Sequence, residues 1–266
     1  MQNITDPDIV PYIPDGIGNS TDRQRIPAVL IIPGGAFRRL VYNFEGEDVA
    51  KWLNSMGIAA FVLECRLPSD EHDNAEDVPL IDAMRAMRVI RGRAQEFGID
   101  EAKIGVMGFS AGGFMAALLS TAYESDVYAD YKYKDEYDKL SARPDFAVCS
   151  YPVISIDDCI EAGKRYMSEE QVLERISDGK AKILHKYNPD KLVRPDMPPV
   201  FICETDDDRT TLSENSVGFY MAARKAGVSA ELHIFRTGGH GYGCGDDFAQ
   251  TGEWLSLIHI SEPTRL

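Results

Sequence analysis

The stretch "KIGVMGFSAGGFMAALL", residues 103–119, joins a strand pattern to a helix pattern through a single serine. Its first half is a short apolar run that ends at Gly108, and the small and apolar residues of a buried helix follow from Ala111. Ser110 lies between them, inside a match to G-x-S-x-G that runs from Gly108 to Gly112. Small neighbours let a strand and a helix approach closely enough to lift a hydroxyl above the sheet. The stretch therefore predicts a strand–turn–helix unit with a candidate nucleophile at its corner.

The same alternation of strand and helix patterns continues along the chain. Apolar runs of strand length occupy residues 28–32, 59–65, 103–108, 145–151, 199–205 and 230–235. They are continuous rather than alternating in polarity, which is typical of strands buried on both faces. Helix patterns lie between them, so the sequence predicts an α/β fold in which helices cover both faces of a mostly parallel sheet. We expect one domain over residues 1–254.

Two segments interrupt this rhythm, residues 123–144 and residues 157–189. The first is rich in tyrosine and acidic residues, and the second has the pattern of two short helices. We expect both to leave the sheet at the carboxyl ends of its strands, where open α/β folds bind ligands. Both are candidate cap segments, although plain surface excursions would have the same pattern.

Composition restricts the possible partners and the compartment. The chain has 43 acidic against 28 basic residues, a net charge of −15, and such a surface repels nucleic acids and anionic membranes. No apolar run has transmembrane length, and the N-terminus lacks the pattern of a signal peptide. The five cysteines are widely spaced, with Cys65, Cys149 and Cys203 in or beside apolar runs, which predicts buried free thiols. These features favour a cytoplasmic location.

The last residues, "LSLIHISEPTRL" at 255–266, fit the translation of a transposon-end sequencing adapter. This match indicates a gene assembled from sequencing reads, so we expect the tail to be non-native. A genuine C-terminal strand, "WLSLIHI", is the alternative. Loss of a native helix here would leave one flank of the sheet uncovered, and pairing of that flank into a dimer is a hypothesis. The oligomeric state is otherwise open.

A serine hydroxyl is a weak nucleophile at neutral pH and needs a base, most often histidine. Of the five histidines, only His240 lies in a glycine-rich loop directly after the last strand pattern, "RTGGHGYGCG" at 236–245. The others, at positions 72, 185, 233 and 259, lie in a charged loop, an insertion, a strand pattern and the suspected adapter tail. Three acids that could orient the imidazole, Asp206, Asp207 and Asp208, follow the strand pattern 199–205. These patterns leave the choice among the three open.

Attack on a carbonyl also requires donors for the negative oxygen that forms. One candidate is the backbone N–H of Ala111, directly after the serine. The other candidate is the loop "PGGAF", residues 33–37, which follows the first predicted strand of the sheet. Glycines in this loop let backbone N–H groups turn toward the serine.

Taken together, these stretches resemble the α/β-hydrolase superfamily, and more closely the bacterial short-chain carbohydrate esterases of the acetylxylan and feruloyl esterase-like group. The matching stretches are "VLIIPGGAFRRL", "EGEDVAKWLNSMGIAAFVLECRLP", "DAMRAMRVIR", "KIGVMGFSAGG", "PPVFICETDDDRTTLSENS" and "AGVSAELHIFRTGGHGYG". The resemblance covers about residues 10–254 and is weakest over 123–190.

The resemblance implies a role for each matching residue. Ser110 would be the nucleophile, His240 the base and Asp208 the acid of a catalytic triad. Thr211 and Leu212 stand where the group usually has Val-Pro, so Asp207 is an alternative acid. Backbone N–H groups of Gly35, Ala36 and Ala111 would form the oxyanion hole. The substrate pocket would include Phe37, Phe109 and Tyr242.

The implied function is a serine carboxylesterase that acts through an acyl-serine on short, acetyl-type esters of sugars derived from plant polysaccharides. Neither a metal ion nor an organic cofactor would take part, and the partner would be a small-molecule or oligosaccharide ester. The ring of Phe37 would narrow the acyl pocket and favour acetyl groups. We expect activity to fall on acidification, as His240 takes up a proton. A feruloyl esterase, a serine peptidase of the prolyl-oligopeptidase type and a non-catalytic hydrolase-fold binding protein are the alternatives.

Overall fold

The computed structural model describes residues 6–16, 25–68, 73–129, 131, 134–165, 167–168, 170–171, 182–245, 254–255 and 257, with only the backbone at 159 and 182. The strands are β1 (Asp8–Tyr12), β2 (Ile26–Ile32), β3 (Ala59–Glu64), β4 (Ile99–Phe109), β5 (Ala147–Ser150), β6 (Val200–Thr205) and β7 (Ala230–Phe235). The helices are α1 (Asp48–Ser55), α2 (Val78–Gly92), α3 (Ala94–Phe97), α4 (Ala111–Ala122), α5 (Ile156–Lys164), α6 (Lys182–Lys186) and α7 (Ser213–Lys225). A π-helical turn, Asn43–Glu47, precedes α1.

The strands form one sheet in the order β1-β3-β2-β4-β5-β6-β7, and every neighbouring pair except β1–β3 is parallel. This arrangement confirms the predicted mostly parallel α/β sheet. The six apolar runs correspond to β2 through β7, although β4 begins at Ile99 rather than at Lys103. β1 is not predicted by the apolar pattern, because this edge strand is only partly buried and contains Pro11.

Alternate residues of each strand pack into two separate cores, one on each face of the sheet. In β2, Leu30 and Ile32 face the core that α2, α4 and α7 cover. Val29 and Ile31 face the other core, which includes residues of α1 and the buried indole of Trp254. Because the side chains on both faces of the strand are buried in a core, the strand runs are continuously apolar. Each such Val, Leu or Ile contributes about 1.5–3 kcal/mol when fully buried.

Segment 123–144 does not lie where we expected it. It follows α4, which ends at Ala122, and not a strand. A helix that connects parallel strands runs back to their amino ends, so the segment starts at the edge of the sheet opposite to Ser110. It then packs along α2, where Arg85 pairs with Asp135 at 2.6 Å and Arg88 donates to the Leu140 carbonyl at 3.0 Å. The expectation that this segment leaves the sheet at its carboxyl edge is therefore wrong, whereas a cap role for it stays a prediction.

Segment 157–189 does lie near the carboxyl edge. Most of α5 belongs to it, and this helix follows β5 directly. Beyond α5, the amine of Lys186 and the hydroxyl of Tyr187 bind the carboxylate of Asp77, just before α2, at 2.7 and 2.5 Å. The start of α5 and Asp77, at the start of α2, both lie on the side of the sheet where β5 and β3 end. A cap role for this segment stays a prediction, and residues 166, 169 and 172–181 lie outside the described residues.

The predicted tail begins inside the core. Trp254 is fully buried, its indole N–H donates to the Gly243 carbonyl at 3.0 Å, and Leu255 is buried beside it. Trp254 and Leu255 are helical, which does not fit the alternative of a strand at this point. The adapter origin of residues 255–266 stays a prediction, and residues 258–266 lie outside the described part of the chain.

The cysteines and the helices meet two further expectations. Cys65, Cys149, Cys203 and Cys244 are buried, and none of these described cysteines forms a disulfide bond, which confirms the prediction for the first three. The fifth cysteine, at 159, has no described side chain. Among the described residues, no helix has both the length and the apolar character needed to cross a membrane.

Candidate active site

The backbone at Ser110 adopts the sharp turn that the sequence predicts. Ser110 has φ 52° and ψ −116°, between the last residue of β4 and the first residue of α4. A Cβ on Gly108 would lie 2.0 Å from the Gly112 carbonyl oxygen, and a Cβ on Gly112 would lie 1.9 Å from the Ile32 carbonyl oxygen. Neither glycine can be replaced without moving backbone. The two glycines of the motif thus permit the close strand–helix contact that raises the Ser110 hydroxyl above the sheet.

Three side chains from three different loops form one hydrogen-bonded series. The Ser110 hydroxyl lies 2.8 Å from Nε2 of His240, and Nδ1 of His240 lies 2.7 Å from Oδ2 of Asp208. An Nδ1–H that donates to the carboxylate leaves Nε2 of the neutral ring to accept the serine proton. Ser110 follows β4, Asp208 follows β6 and His240 follows β7, so all three lie at the carboxyl edge of the sheet. This arrangement can activate the hydroxyl as a nucleophile.

Asp208 is built to remain ionised although it is buried. One oxygen accepts the backbone N–H groups of Thr210 and Thr211 at 2.7 and 3.0 Å, and the other accepts the Thr211 hydroxyl at 2.9 Å. Burial raises the pKa of Asp208, but the hydrogen bond and charge of His240 and these N–H donors outweigh burial and lower it. Thr211, which departs from the Val of the resembling group, thus holds Asp208 with its hydroxyl. This contribution was not predicted from the sequence.

Asp207 has a different position and different partners. Its Oδ1 accepts the backbone N–H groups of Gly238 and Gly239 at 2.9 and 2.8 Å, in the loop that carries His240. The hydroxyl of Thr205 donates to the Gly239 carbonyl at 2.8 Å and holds the same loop. Asp207 therefore fixes the backbone beside His240, whereas the carboxylate of Asp208 contacts the imidazole itself.

The loop that follows β2 lies against the nucleophile. A Cβ on Gly34 would lie 3.0 Å from Cβ of Ser110, but the Gly34 N–H already donates to the Glu45 carboxylate at 2.8 Å. Gly35 and Ala36 follow at φ 131° and 56°. The Ala111 N–H belongs to the first turn of α4, where helix geometry supplies no acceptor. The structure thus brings Gly34 and Ala111 beside Ser110. The oxyanion role of Gly35, Ala36 and Ala111 stays a prediction.

Strained backbone is concentrated around this loop and the nucleophile. Among the described residues, five that are not glycine have positive φ, and Asn74 is the one that lies away from the site. The other four are Ala36, Phe37, Ser110 and Tyr151. Such conformations cost about 1–3 kcal/mol each and persist where the surrounding structure holds them in place.

A cavity of about 10 Å³ lies between the loop after β2 and the start of α4. Its apolar wall includes Phe37, Leu40, Leu67 and Met115, and Gly34, Ala111 and Gly112 also line it. Phe37 is buried and packs edge-on against Phe114, with 5.6 Å between ring centroids. A space of this size accommodates about one water molecule. Phe37 therefore lines a very small cavity together with Ala111, the residue after Ser110. Its contact with a substrate stays a prediction.

Phe109 and Tyr242 do not line this pocket. Phe109 is fully buried on the other face of the sheet, where its ring contacts those of Tyr151 and Trp254. Tyr242 is also buried there, with its ring 4.5 Å from that of Tyr151. Successive side chains of a strand point to opposite faces, so the residue before Ser110 points away from the pocket. Their prediction as substrate-contacting residues is wrong.

A second buried carboxyl group, Glu204, lies beneath the site on β6. Its oxygens accept the Thr205 N–H at 2.9 Å and the Ser216 hydroxyl at 3.2 Å, and the residue is fully buried. Burial raises the pKa of Glu204 well above its ordinary value, and the charge of Asp208 raises it further. Glu204 was not predicted as part of the site, because a single acid inside an apolar strand run does not reveal its neighbours in space.

The raised pKa of Glu204 predicts a pH effect on stability. The folded state holds this proton more tightly than the unfolded state, so the stabilisation is complete at low pH and is lost as pH rises through the raised pKa. Glu204→Gln removes the titrating group and keeps an acceptor for Thr205. We expect the free energy of unfolding of the parent to fall relative to that of the variant between pH 5 and pH 8, measured by urea denaturation.

The control for this prediction is Glu214→Gln, which alters an exposed glutamate in the first turn of α7. Its difference from the parent should be the same at both pH values. An equally pH-independent difference for Glu204→Gln would contradict the prediction.

The remaining histidines and acids form no comparable centre in the described residues. His233 pairs with Glu231 on β7 at 2.6 Å, and His185 lies exposed on α6. His72 and His259 lie outside the described part of the chain. Over the described ranges, no group of three or more His, Cys, Asp or Glu side chains could hold a metal ion.

Comparison with known proteins places this geometry in a family. The model of the BD-FAE family matches residues 17–222. The chain is 31% identical over 240 residues to a protein named acetylxylan esterase from Xylanibacter ruminicola, covering 87% of this chain and 45% of that protein. It is 31% identical over 244 residues to endo-1,4-beta-xylanase B of Butyrivibrio fibrisolvens, covering 91% of this chain and 36% of the relative. The chain thus spans less than half the length of these curated relatives.

A solved structure extends the similarity to nearly the whole chain. The acetyl ester-xyloside bifunctional hydrolase from Caldicellulosiruptor lactoaceticus superposes with a TM-score of 0.77 at 36% sequence identity. The match covers 96% of this chain and 86% of that one. The sheet order, the turn at Ser110 and the matched residues lead to one conclusion. The chain belongs to the BD-FAE family and has an α/β-hydrolase fold.

Proposed function

We propose that this chain is a serine ester hydrolase that removes short acyl groups, acetyl above all, from xylan-derived sugars. The observation that carries the proposal is the series Ser110–His240–Asp208, with distances of 2.8 and 2.7 Å at the carboxyl edge of the sheet. The acetylxylan esterase, the xylanase and the acetyl ester-xyloside hydrolase among the similar proteins support the ester and sugar classes.

In the first half of the reaction, the Ser110 oxygen attacks the ester carbonyl carbon while His240 Nε2 takes the hydroxyl proton. The carbonyl oxygen becomes negative and is stabilised by backbone N–H groups of Gly35, Ala36 and Ala111. Asp208 stabilises the imidazolium without taking its proton. Collapse of the tetrahedral species breaks the bond to the alcohol oxygen. The alcohol departs with the proton from His240 and leaves an acyl group on Ser110.

In the second half, water replaces the alcohol. His240 takes a proton from the water as its oxygen attacks the acyl carbon, and the same N–H groups stabilise the second oxyanion. Return of that proton to Ser110 releases the free acid and restores the starting state. Each cycle consumes one ester and one water and yields one acid and one alcohol.

The small cavity lined by Ala111, the residue after Ser110, supports a preference for short acyl groups. Its volume of about 10 Å³ suits a methyl group and leaves no room for a longer chain without movement of the wall. Phe37 is the largest residue of this apolar wall. Replacing it with alanine leaves the backbone strain at φ 56° unchanged, because both residues carry a Cβ.

Phe37→Ala is expected to lengthen the accepted acyl chain. In this proposal the space vacated by the ring would receive the longer acyl chain, and each methylene accommodated in an apolar pocket is worth about 1–3 kcal/mol. The ratio of kcat/KM for an aryl butyrate to that for an aryl acetate should rise about tenfold or more. Phe37→Leu, which vacates less space and disturbs Phe114 less, should give an intermediate ratio. An unchanged ratio in both variants would remove Phe37 from the acyl pocket.

The test of the proposed function is acetate release from acetylated xylo-oligosaccharides by the purified protein, with Ser110→Ala as the blank. We expect release by the parent alone. Hydrolysis of aryl acetate without release from the sugar would retain the serine esterase and overturn the sugar class. Release of ferulate from feruloylated sugars in preference to acetate would overturn the short-acyl assignment.

A further inference from the structure

Glu45 is a buried carboxylate close to the active site with no role in the triad. It lies on the π-helical turn Asn43–Glu47, and 4% of its surface is exposed. The turn is held against the sheet, because a Cβ on Gly46 would lie 2.9 Å from a methyl of Val62. π-Helical turns are rare in proteins, and many of those that do occur lie at functional sites.

The two carboxylate oxygens of Glu45 join two separate loops. Oε2 accepts the Gly34 N–H at 2.8 Å, at the base of the proposed oxyanion loop. Oε1 accepts the hydroxyl of Tyr151 at 2.9 Å, and that hydroxyl accepts the Gly243 N–H at 3.1 Å. Gly243 lies three residues beyond His240. A continuous set of hydrogen bonds therefore connects the loop of the oxyanion donors to the loop of the base.

Tyr151 joins this set of hydrogen bonds in a strained backbone conformation. Its φ of 37° is strained for a residue with a side chain, and the residue is fully buried. Its ring lies against the imidazole of His240, with 5.1 Å between centroids and an interplanar angle of 67°. The strained backbone directs the hydroxyl to Glu45 and the ring to His240. One side chain thus contacts both the base and the carboxylate.

The burial of Glu45 is also unfavourable by itself. Burial raises the pKa of its carboxyl group, while the hydrogen bonds from Tyr151 and Gly34 and the charge of His240 act in the opposite direction. A buried carboxylate contributes little net stability compared with apolar residues of similar volume. Stability alone therefore does not explain the direction of the two hydrogen bonds of Glu45 or the backbone strain at Tyr151.

We propose that Glu45 is a positioning residue, which holds the oxyanion loop and the His240 loop in register through Gly34 and through Tyr151 and Gly243. The inference rests on the proposed function, because the loops it joins are those of the ester hydrolase mechanism. Displacement of reacting groups by about 1 Å can cost about 100-fold in rate. Loss of Glu45 therefore slows the chemical step and leaves substrate binding nearly unchanged.

The experiment compares Glu45→Ala, Glu45→Gln and Tyr151→Phe with the parent. Two rates are measured, kcat for an aryl acetate and the rate at which a fluorophosphonate labels Ser110, together with KM for the aryl acetate. We expect Glu45→Ala to lower kcat and the labelling rate in parallel by about tenfold to 100-fold, with KM within about twofold. The final fraction of labelled protein should stay complete, which separates misplaced loops from unfolded molecules.

Glu45→Gln serves as the conservative rescue. Its amide oxygen can accept the Gly34 N–H and its NH₂ can donate to the Tyr151 oxygen, so most of the rate should return. Tyr151→Phe removes a single oxygen and should cause part of the loss. Tyr128→Phe is the matched control, since it removes another buried phenol hydroxyl that donates to a carboxylate, Asp138, within the segment packed along α2. It should leave both rates unchanged.

The outcomes separate this inference from the proposed function. A parent that is labelled at Ser110 but hydrolyses no ester would overturn the function and leave the positioning role open to measurement by the labelling rate. An active parent whose Glu45→Ala and Tyr151→Phe variants keep both rates would overturn the positioning role alone. Fewer labelled sites with an unchanged rate per site would also overturn it, because that result reports lost folding. If Glu45→Ala does not fold, Tyr151→Phe and Glu45→Gln decide the matter.

Discussion

Ser110→Ala should abolish hydrolysis almost completely, with kcat for an aryl acetate lower by about four to six orders of magnitude. The substitution removes the oxygen that attacks the carbonyl. In the described residues it is Ser110 that supplies the hydroxyl 2.8 Å from Nε2 of His240. The fold should persist, because alanine keeps the Cβ and therefore does not alter the strain at φ 52°. A thermal denaturation midpoint close to that of the parent would show that the loss is chemical.

The matched control for this variant is Ser120→Ala. Ser120 is buried on α4, the helix that begins directly after Ser110, and its hydroxyl donates to the Ala116 carbonyl at 2.7 Å. Its loss should leave kcat unchanged. Residual activity of Ser110→Ala above about one hundredth of the parent rate would contradict the nucleophile assignment. The proposed acyl-serine mechanism would then fail with it.

Asp208→Asn should lower kcat by about 10³- to 10⁴-fold, the second largest effect. An amide in place of the carboxylate cannot stabilise the imidazolium, and its NH₂ can favour the wrong tautomer of His240. The charge matters at a buried position, where water screens it poorly. The hydrogen bonds to Thr210 and Thr211 can form with the amide oxygen, so the loop should keep its shape. The measurement is kcat for an aryl acetate against pH.

The neighbouring acid provides the comparison within the chain. Asp207→Asn keeps an oxygen that can accept the N–H groups of Gly238 and Gly239, and it leaves the imidazole contact of Asp208 intact. We expect a loss of less than about tenfold, from loosening of the His240 loop. If Asp207→Asn were the more damaging of the two variants, the roles read from the geometry would be reversed.

The sequence by itself determined the features that depend on local pattern. Continuous apolar runs predicted six of the seven strands in the described residues, because residues on both faces of a central strand must be apolar. The G-x-S-x-G match predicted the turn at Ser110, since only glycine fits where Gly108 and Gly112 contact backbone. His240 could be selected among five histidines because loops after parallel strands meet at one edge of the sheet.

The tertiary structure decided everything that depends on side-chain direction and on contacts between distant residues. Asp207 and Asp208 are adjacent in sequence, yet only the geometry of their loop shows that one holds backbone and the other the imidazole. Phe109 was expected in the pocket, but the alternation of the strand turns it into the opposite core. Segment 123–144 has a cap-like composition and lies along α2, because the helix before it ends at the other edge of the sheet.

The contact between Glu45 and Tyr151 joins residues 106 positions apart and leaves no periodic pattern in the chain. "EGED", from Glu45 to Asp48, has the composition of an ordinary helix start, and a tyrosine after a strand has many possible roles. Their partnership arises only when the sheet brings the ends of β2, β5 and β7 together. Local pattern thus determined the strands, the turn and the candidate base, whereas the packed sheet decided which side chains meet, because hydrogen bonds depend on distance and direction in space.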